Sequence, residues 1–203
     1  MVQRAETTER ARLVEVSSAE FVERGYGATG LTALAEAAGL ELSQARRLFG
    51  SKSGLLDAIV APLIDEIERG LPGFRMGAGG DRIALLRTYL FALLRARRAA
   101  RIVLFDPSAR GTDAWERHAE CMRRLVALLV GPRASLERQV RVRCALAVCQ
   151  LGAGELAGVP AHRLRQPLLE AAIDTMVGTN PRSGRVSTSG DVALDLRSRI
   201  DLR

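Results

Sequence analysis

Apolar side chains recur every three to four residues along most of the chain, which is the spacing of one face of an α-helix. The first such run predicts a helix from Thr8, a plausible N-cap, to about Arg24, with Gly25 at its end. Five residues supply the apolar face of this helix: Leu13, Val14, Val16, Phe21 and Val22. Residues 1–7 lack the pattern, so we expect them to form a disordered arm.

The stretch from Thr29 to Lys52 predicts two short helices, over 30–38 and 42–49, separated by a tight turn. Gly39 follows the last periodic residue of the first helix, where a left-handed cap favours glycine. Two helices joined by a short turn form the helix-turn-helix unit, whose second helix can enter the major groove of DNA. The rest of the chain is organised around this stretch.

The remaining pattern predicts a longer helix over 52–69, with Ser51 as its N-cap and a kink or break near Ala61 caused by Pro62. A glycine-rich stretch over 70–80 predicts a flexible connection. Four further helices are then expected, over 81–105, 113–130, 135–157 and 163–177. After Gly178 the composition favours disorder, although the alternating apolar residues of the last twelve positions also fit a strand.

The composition supports an all-α fold, since Arg, Ala and Leu dominate and β-branched runs are few. No apolar run approaches the roughly 20 residues that span a membrane. The polar start MVQRAETTER does not resemble a signal peptide, and we therefore expect a cytoplasmic protein without membrane partners. The three cysteines, Cys121, Cys144 and Cys149, have no metal-ligand spacing. They are interpreted as core residues, with a redox-sensing pair involving Cys121 as the alternative.

The charge distribution is less simple than the net charge of +7 suggests. Residues 1–60 hold seven basic and eight acidic side chains, a net of −1, and the positive excess lies in residues 61–203. A basic surface is therefore a poor argument for DNA binding here. The argument must rest on the positions of individual basic side chains. Arg46, Arg47 and Lys52 cluster in and just after the second short helix.

This part of the chain resembles the N-terminal domain of TetR-type transcriptional regulators. The resemblance is carried by Phe21-Val-Glu-Arg-Gly25-Tyr26-Gly-Ala-Thr29, by Leu34-Ala35-Glu36-Ala-Ala38-Gly39-Leu40, and by Phe49-Gly50-Ser51-Lys52 with Leu55-Leu56. It covers about the first 60 residues. It implies an all-α protein with a three-helix DNA-binding domain over 1–52, a ligand-binding and dimerising helical domain over 53–178, and a tail over 179–203. Most members of the family carry Leu-Tyr where this chain has Ala45 and Arg46, and many have a Ser N-cap where Glu41 stands.

The candidate DNA-binding residues follow from the expected position of the second short helix. Leu42, Ser43 and Gln44 lie at its front, where Gln44 can pair with adenine and Leu42 can touch a thymine methyl. Arg46 and Arg47 can bind guanine or phosphates, with a solvated face as the alternative. Thr29 and Thr32 can donate to a phosphate from the start of the preceding helix, and Thr29 is also expected to be its N-cap. Lys52 adds a cation at the start of the next helix.

The expected partners are double-stranded operator DNA, a small-molecule effector and a second copy of the chain. Residues that could line an effector pocket are Tyr89, Arg95, Asp106, Trp115, His118 and Cys121, with an exposed or structural role as the alternative for His118. The basic run Arg95, Arg97, Arg98 and Arg101 is expected to form a solvated face. Broad apolar stripes on the last two helices favour association between chains, as the resemblance also implies.

The sequence thus predicts a ligand-responsive repressor that binds a palindromic operator as a homodimer, with no cofactor, no metal and no catalytic site. His118 and His162 are the only histidines, and neither belongs to a recognisable catalytic arrangement. The alternative is a helical-bundle small-molecule-binding module whose DNA binding is impaired. A helical enzyme is a third class, which the sequence hardly supports.

Overall fold

A computed structural model of the chain describes residues 2–71 and 79–178, and the side chains of 6–71 and 82–178 within them. The described residues form helices and connecting turns, without a strand. The α-helices are α1 (Val2–Arg24), α2 (Leu31–Ala37), α3 (Leu42–Phe49), α4 (Lys52–Gly70), α5 (Gly79–Arg95), α6 (Arg97–Phe105), α7 (Asp113–Val130), α8 (Leu136–Glu155) and α9 (Ala161–Val177). One turn of 3-10 helix, Pro107–Ala109, follows α6. The all-α class predicted from the sequence is confirmed.

Helices α1, α2 and α3 pack together as a small unit, which we call the head (residues 2–52). Its interior contains Leu13, Phe21, Tyr26, Leu34 and Ala45, each buried. The rings of Phe21 and Tyr26 meet edge to face with their centroids 5.2 Å apart. Both aromatic residues thus contribute to the core of the head.

Helix α4 connects the head to the rest of the described chain, which we call the body (residues 53–71 and 79–178). It packs against α1 and α3 of the head and against α5, α6 and α7 of the body. Seven apolar side chains along it are buried: Leu55, Leu56, Ile59, Val60, Leu63, Ile64 and Ile67. The break expected near Ala61 is wrong, because the helix continues through Pro62, whose side chain is exposed.

Helices α8 and α9 form an antiparallel pair on one side of the body and make the most extensive helix–helix contact in the described chain. Gly152 allows this close approach, since a Cβ at that position would overlap Cδ2 of Leu168. Gly154 likewise allows α8 to lie close to α6, since a Cβ at that position would overlap the ring of Phe105.

Two helix boundaries differ from the expectation. The first helix begins at Val2, so the disordered arm over 1–7 and the N-cap at Thr8 are wrong for the described part of that stretch. The single helix expected over 81–105 is interrupted at Ala96, whose backbone leaves the helical region at φ −112° and ψ 45°. The cause is tertiary, because Arg97 donates hydrogen bonds to the last carbonyls of α8 and the residues after it, including Leu156 at 2.6 Å and Val159 at 2.7 Å.

The solvated face expected for the basic run is only partly correct. Arg97 caps α8, the Arg98 guanidinium pairs with the carboxylate of Glu15 in α1, and Arg95 pairs with Glu66 at 3.5 Å. The expected flexible connection over 70–80 falls largely outside the described residues, as does the expected tail over 179–203.

Candidate nucleic-acid interface and ligand cavity

The turn between α2 and α3 fixes the orientation of the candidate recognition helix. Gly39 has φ 65°, and the amide of Leu40 donates back to the carbonyl of Ala35 at 2.9 Å. Such a left-handed residue ends α2 abruptly and allows α3 to begin three residues later. The glycine predicted at the cap is therefore confirmed in its role.

The N-terminal end of α3 is capped by a side chain of the helix itself, that of Gln44. Glu41 is the N-cap, and its amide donates to Oε1 of Gln44 at 2.8 Å. This bond satisfies one amide at the helix start and uses one of the two lone pairs of the oxygen that an adenine N6 group would need. The Nε2 group of Gln44 remains as the donor that can face a base.

The far end of α3 is held by Arg10 of α1. Its Nη1 donates to the carbonyl of Leu48 at 2.7 Å, and its guanidinium lies over the Phe49 ring at 4.2 Å from the centroid. Close contact with α4 adds a second restraint, because a Cβ on Gly54 would overlap the carbonyl oxygen of Phe49. Sequence reasoning missed Arg10 and Gly54, since neither has a partner nearby in the sequence that would reveal these contacts.

The structure divides the candidate DNA-binding residues into two groups. Exposed residues on the outer side of α2 and α3 are Thr32, Ser43, Arg46 and Arg47, with Leu42 and Gln44 partly exposed beside them. Arg47 lies 3.8 Å from the carboxylate of Glu9, a surface pair that costs little to break. Six of the eight predicted residues are thus exposed or partly exposed on the head.

Thr29 and Lys52 form the second group, and both are engaged inside the head. Thr29 is buried, and its hydroxyl donates to the carbonyls of Gly25 and Tyr26 at 3.3 and 3.2 Å. The N-cap of α2 is Gly30, so the expected capping by Thr29 is wrong. The Lys52 ammonium donates to the carbonyls of Tyr26 and Thr29 at 2.9 and 3.0 Å, and lies 4.2 Å from the centre of the Tyr26 ring.

A cavity of about 940 Å³ opens in the body among α6, the 3-10 turn, α7 and α8. Its apolar lining includes Val103, Leu104, Phe105, Trp115, Met122, Val126 and Val130. Its charged lining consists of Asp106, Arg110, Arg123 and Arg143. A volume of this size accommodates a drug-sized molecule.

Three of the six predicted pocket residues, Asp106, Trp115 and His118, line this cavity. The other three do not. Tyr89 is buried behind it, where its hydroxyl accepts from Nε2 of the lining residue Gln150 at 2.8 Å. Cys121 is buried and is absent from the lining, and Arg95 lies on another face beside Glu66.

His118 is a buried residue with little access to solvent, so the exposed role considered for it is wrong. Burial lowers the pKa of His118 to about 4, and the imidazole is neutral at pH 7. Its Nε2 has no hydrogen-bond partner in the described chain.

Two of the three cysteines, Cys121 and Cys149, are buried core thiols. Burial raises the pKa of Cys121 to about 11 and that of Cys149 to about 12, which keeps both thiols protonated. Cys144 is exposed, so its interpretation as a core residue is wrong. Among the described residues there is no group of three or more His, Cys, Asp or Glu placed to hold a metal ion. No described helix is long and apolar enough to cross a membrane.

The sequence profile described as bacterial regulatory proteins, tetR family, matches residues 13–59, which span α1 to the first half of α4. The helix-turn-helix geometry of the head and the all-helical body both fit that match. Residues 13–59 therefore match the N-terminal domain of the TetR family. None of the curated proteins matches the chain.

Solved TetR-family structures share the fold over most of this chain. A member of the family from Streptomyces coelicolor A3 is 25% identical, with 82% of this chain and 90% of that chain covered and a TM-score of 0.67. PfmR from Thermus thermophilus is 17% identical, with 82% and 98% covered and a TM-score of 0.61. LfrR from Mycobacterium smegmatis, solved with proflavine, is 22% identical, with 84% and 95% covered and a TM-score of 0.53.

Proposed function

We propose that the protein is a homodimeric, ligand-responsive repressor, in which residues 1–52 read a palindromic operator and residues 53–178 bind an effector and dimerise. The observation that carries this proposal is the arrangement of α2 and α3. A short helix, capped at both ends, presents Ser43, Arg46 and Arg47 on an exposed face. Side chains of these types contact base edges and phosphates in a major groove.

Each arginine of α3 has a distinct expected role. Arg46 is exposed and forms no ion pair within the described chain, so it is available to a guanine or a phosphate. Arg47 must leave its weak contact with Glu9 to do the same. Thr32 at the start of α2 can donate its hydroxyl to a phosphate, whereas Lys52 and Thr29 stabilise the head from within.

Selection of bound sequences from random duplex DNA, followed by anisotropy titration at several salt concentrations, tests the DNA-binding part. We expect an enriched palindrome for the unmodified protein. Arg46→Gln should either relax one base preference, at a cost of about 1–3 kcal/mol, or flatten the salt dependence by about 0.9 per head. Arg87→Gln on α5, which is exposed and removes the same charge, is the matched control and should do neither.

An exposed apolar stripe on α8 supports the dimer. Leu136, Val140 and Leu151 are 77%, 51% and 52% exposed and lie on one side of the helix together with Cys144. The opposite side of α8 is buried in the body through Val142, Ala145, Leu146 and Cys149. A monomer rarely leaves such a stripe open to water, and a second copy of the same helix pair would cover it.

The cavity supports the response to an effector. Its apolar wall and its three arginines fit a largely apolar molecule that carries an anionic or hydrogen-bond-accepting group. Binding of 8-anilinonaphthalene-1-sulfonate, an apolar anion, tests this. Ala119→Phe narrows the cavity and should abolish binding, while Ala33→Phe on the exposed side of α2 should leave it unchanged. If Ala119→Phe and Ala33→Phe bind the sulfonate probe equally well, the probe binds outside this cavity.

The alternative, a small-molecule-binding module with impaired DNA binding, is favoured by one observation. The first 60 residues carry a net charge of −1, and Lys52 and Arg10 are already committed to backbone carbonyls. If selection enriches no sequence and Arg46→Gln behaves like Arg87→Gln, this alternative replaces the regulator.

A further inference from the structure

The body also contacts the head through the segment that follows α6. The carboxylate of Asp106, the C-cap of α6, accepts the amide of Tyr26 at Oδ2 over 2.5 Å. The hydroxyl of Ser108 accepts the amide of Gly27 at 2.7 Å. Ser108 in turn donates its hydroxyl and its amide to Oδ1 of Asp106, at 2.6 and 2.9 Å. We call these two side chains and the two amides the latch.

The latch grips the turn that leads into the helix-turn-helix. Tyr26 and Gly27 stand between the end of α1 and the start of α2, and the approach is close. A Cβ on Gly27 would lie 2.9 Å from Cβ of Ser108. The carbonyls of Tyr26 and Thr29 on the same turn accept the Lys52 ammonium. A shift of this turn therefore reaches the N-terminus of α4 directly.

The same latch borders the cavity. Asp106 and Pro107 belong to its lining, together with Arg110 just after the 3-10 turn. Partial burial alone would raise the pKa of Asp106, but the hydrogen bonds from Ser108 and from the Tyr26 amide, with the charge of Lys52, outweigh it and lower the pKa. The carboxylate is thus held ionised between the cavity and the turn.

The head is attached to the body at two places, through α4 and through the latch, and two attachments restrict its orientation more than one does. Through α4 alone the head could tilt about the junction at Ser51 and Lys52. The latch adds hydrogen bonds from the segment after α6 to the turn at Tyr26 and Gly27, and these bonds limit that tilt. A ligand that binds more tightly when Asp106 and Ser108 are displaced will favour a different position of the head. Conversely, a change in the position of the head will alter the affinity of the cavity for that ligand.

We propose that Asp106 and Ser108 are positioning residues for DNA reading, which couple the cavity to the turn at Tyr26 and Gly27 without touching DNA. This inference rests on the proposed function for its DNA readout. Its cavity readout is independent of DNA, because Trp115 lines the cavity and is the only tryptophan in the chain.

Substitution from the head side tests the coupling. Gly27→Ala places a methyl group against Ser108, whereas Gly30→Ala, three residues later in the same turn, meets nothing within 4 Å and is the matched control. We expect Gly27→Ala to lower DNA affinity fivefold or more and to change iodide quenching of Trp115, while the slope of affinity against salt stays the same. Gly30→Ala should alter DNA affinity by less than twofold and leave quenching unchanged.

Substitution of Ser108, on the body side of the latch, provides the second half of the test. Ser108→Ala removes the acceptor for the Gly27 amide and should weaken DNA binding to a similar degree, while Ser108→Thr, which keeps the hydroxyl, should restore most of it. Deuterium exchange should show faster exchange at Gly27 in Ser108→Ala only.

The outcomes separate the two proposals. If the unmodified protein binds no DNA sequence, the proposed function fails, and Trp115 quenching alone decides on the latch. If Gly27→Ala leaves Trp115 quenching at the value of Gly30→Ala, the coupling is refuted, whatever happens to DNA affinity. If Trp115 responds but Ser108→Ala binds DNA normally, the positioning role is refuted.

Discussion

Replacing Lys52 by methionine distinguishes the DNA-binding role expected from the sequence from the structural role that the contacts of its ammonium indicate. The family resemblance suggests a phosphate contact, but in the structure the ammonium donates to two carbonyls and lies on the Tyr26 ring. Lys52→Met keeps the length and most of the apolar stem of the side chain while removing the charge and the donors. A structural role predicts a loss of stability with the number of DNA contacts unchanged.

The expected magnitude follows from the contacts. A hydrogen bond from a charged donor contributes about 1.5–3 kcal/mol, and a cation over an aromatic ring at a partly exposed site about 0.5–1 kcal/mol. Because Lys52 is only half-buried, we expect about 3 kcal/mol for the whole set rather than the full sum. Urea unfolding followed by circular dichroism measures this loss directly.

The salt dependence of DNA binding provides the discriminating readout. A phosphate contact contributes about 0.9 to the slope of log affinity against log salt, so a dimer that loses one contact in each head loses about 1.8. We expect Lys52→Met to lower affinity at every salt concentration with the slope unchanged. Arg46→Gln should keep stability within about 0.5 kcal/mol of the unmodified protein and, where Arg46 contacts a phosphate rather than a base, flatten the slope. A stable Lys52→Met protein with a flattened slope would refute the structural assignment.

Three further predictions concern other parts of the molecule. Because the pKa of His118 falls from 6.5 unfolded to about 4 folded, stability present above pH 6.5 should decline by about 3 kcal/mol as the pH drops to 4, and urea unfolding of His118→Met should lack this component. Val140→Glu, at an exposed site on α8, should convert a dimer to a 22.0 kDa monomer in sedimentation, whereas Leu156→Glu, off the stripe, should not. Arg10→Met should speed deuterium exchange at the end of α3, since it removes the donor to the Leu48 carbonyl.

Local signals explain why much of the fold was predictable. The bounds of α7 match the prediction because Thr112 accepts the amide of Trp115 at the start and Gly131, with φ 77°, ends the helix. Ser51 caps α4 as expected, and Ser135 caps α8 in the same way, each accepting the amide three residues later. Such caps depend on residues within one turn of the boundary, and the sequence therefore shows them.

Non-local contacts account for what the sequence could not reveal. The break at Ala96 depends on carbonyls about 60 residues later, and no glycine or proline marks it. The engagement of Lys52 depends on carbonyls 26 and 23 residues earlier in the chain. For the cavity, the sequence found Asp106, Trp115 and His118, but helix periodicity alone did not separate Cys121, one turn from His118, from the lining.

Under the proposed function, the use of cations inside the head should make DNA binding depend on dimerisation. Arg10 and Lys52 neutralise carbonyl ends within the head, which leaves Arg46 and Arg47 as the exposed cations of the recognition helix. Two such contacts per head, in a region of net charge −1, give a small electrostatic contribution. Joining two heads increases the affinity for DNA only if both heads reach their half-sites at the same time. The affinity should therefore depend more strongly on the spacing of the heads here than in a strongly basic domain. Val140→Glu should therefore abolish specific DNA binding as well as dimerisation, although Val140 lies on α8, outside the head. A monomer that still binds the operator with full affinity would show that a single head suffices.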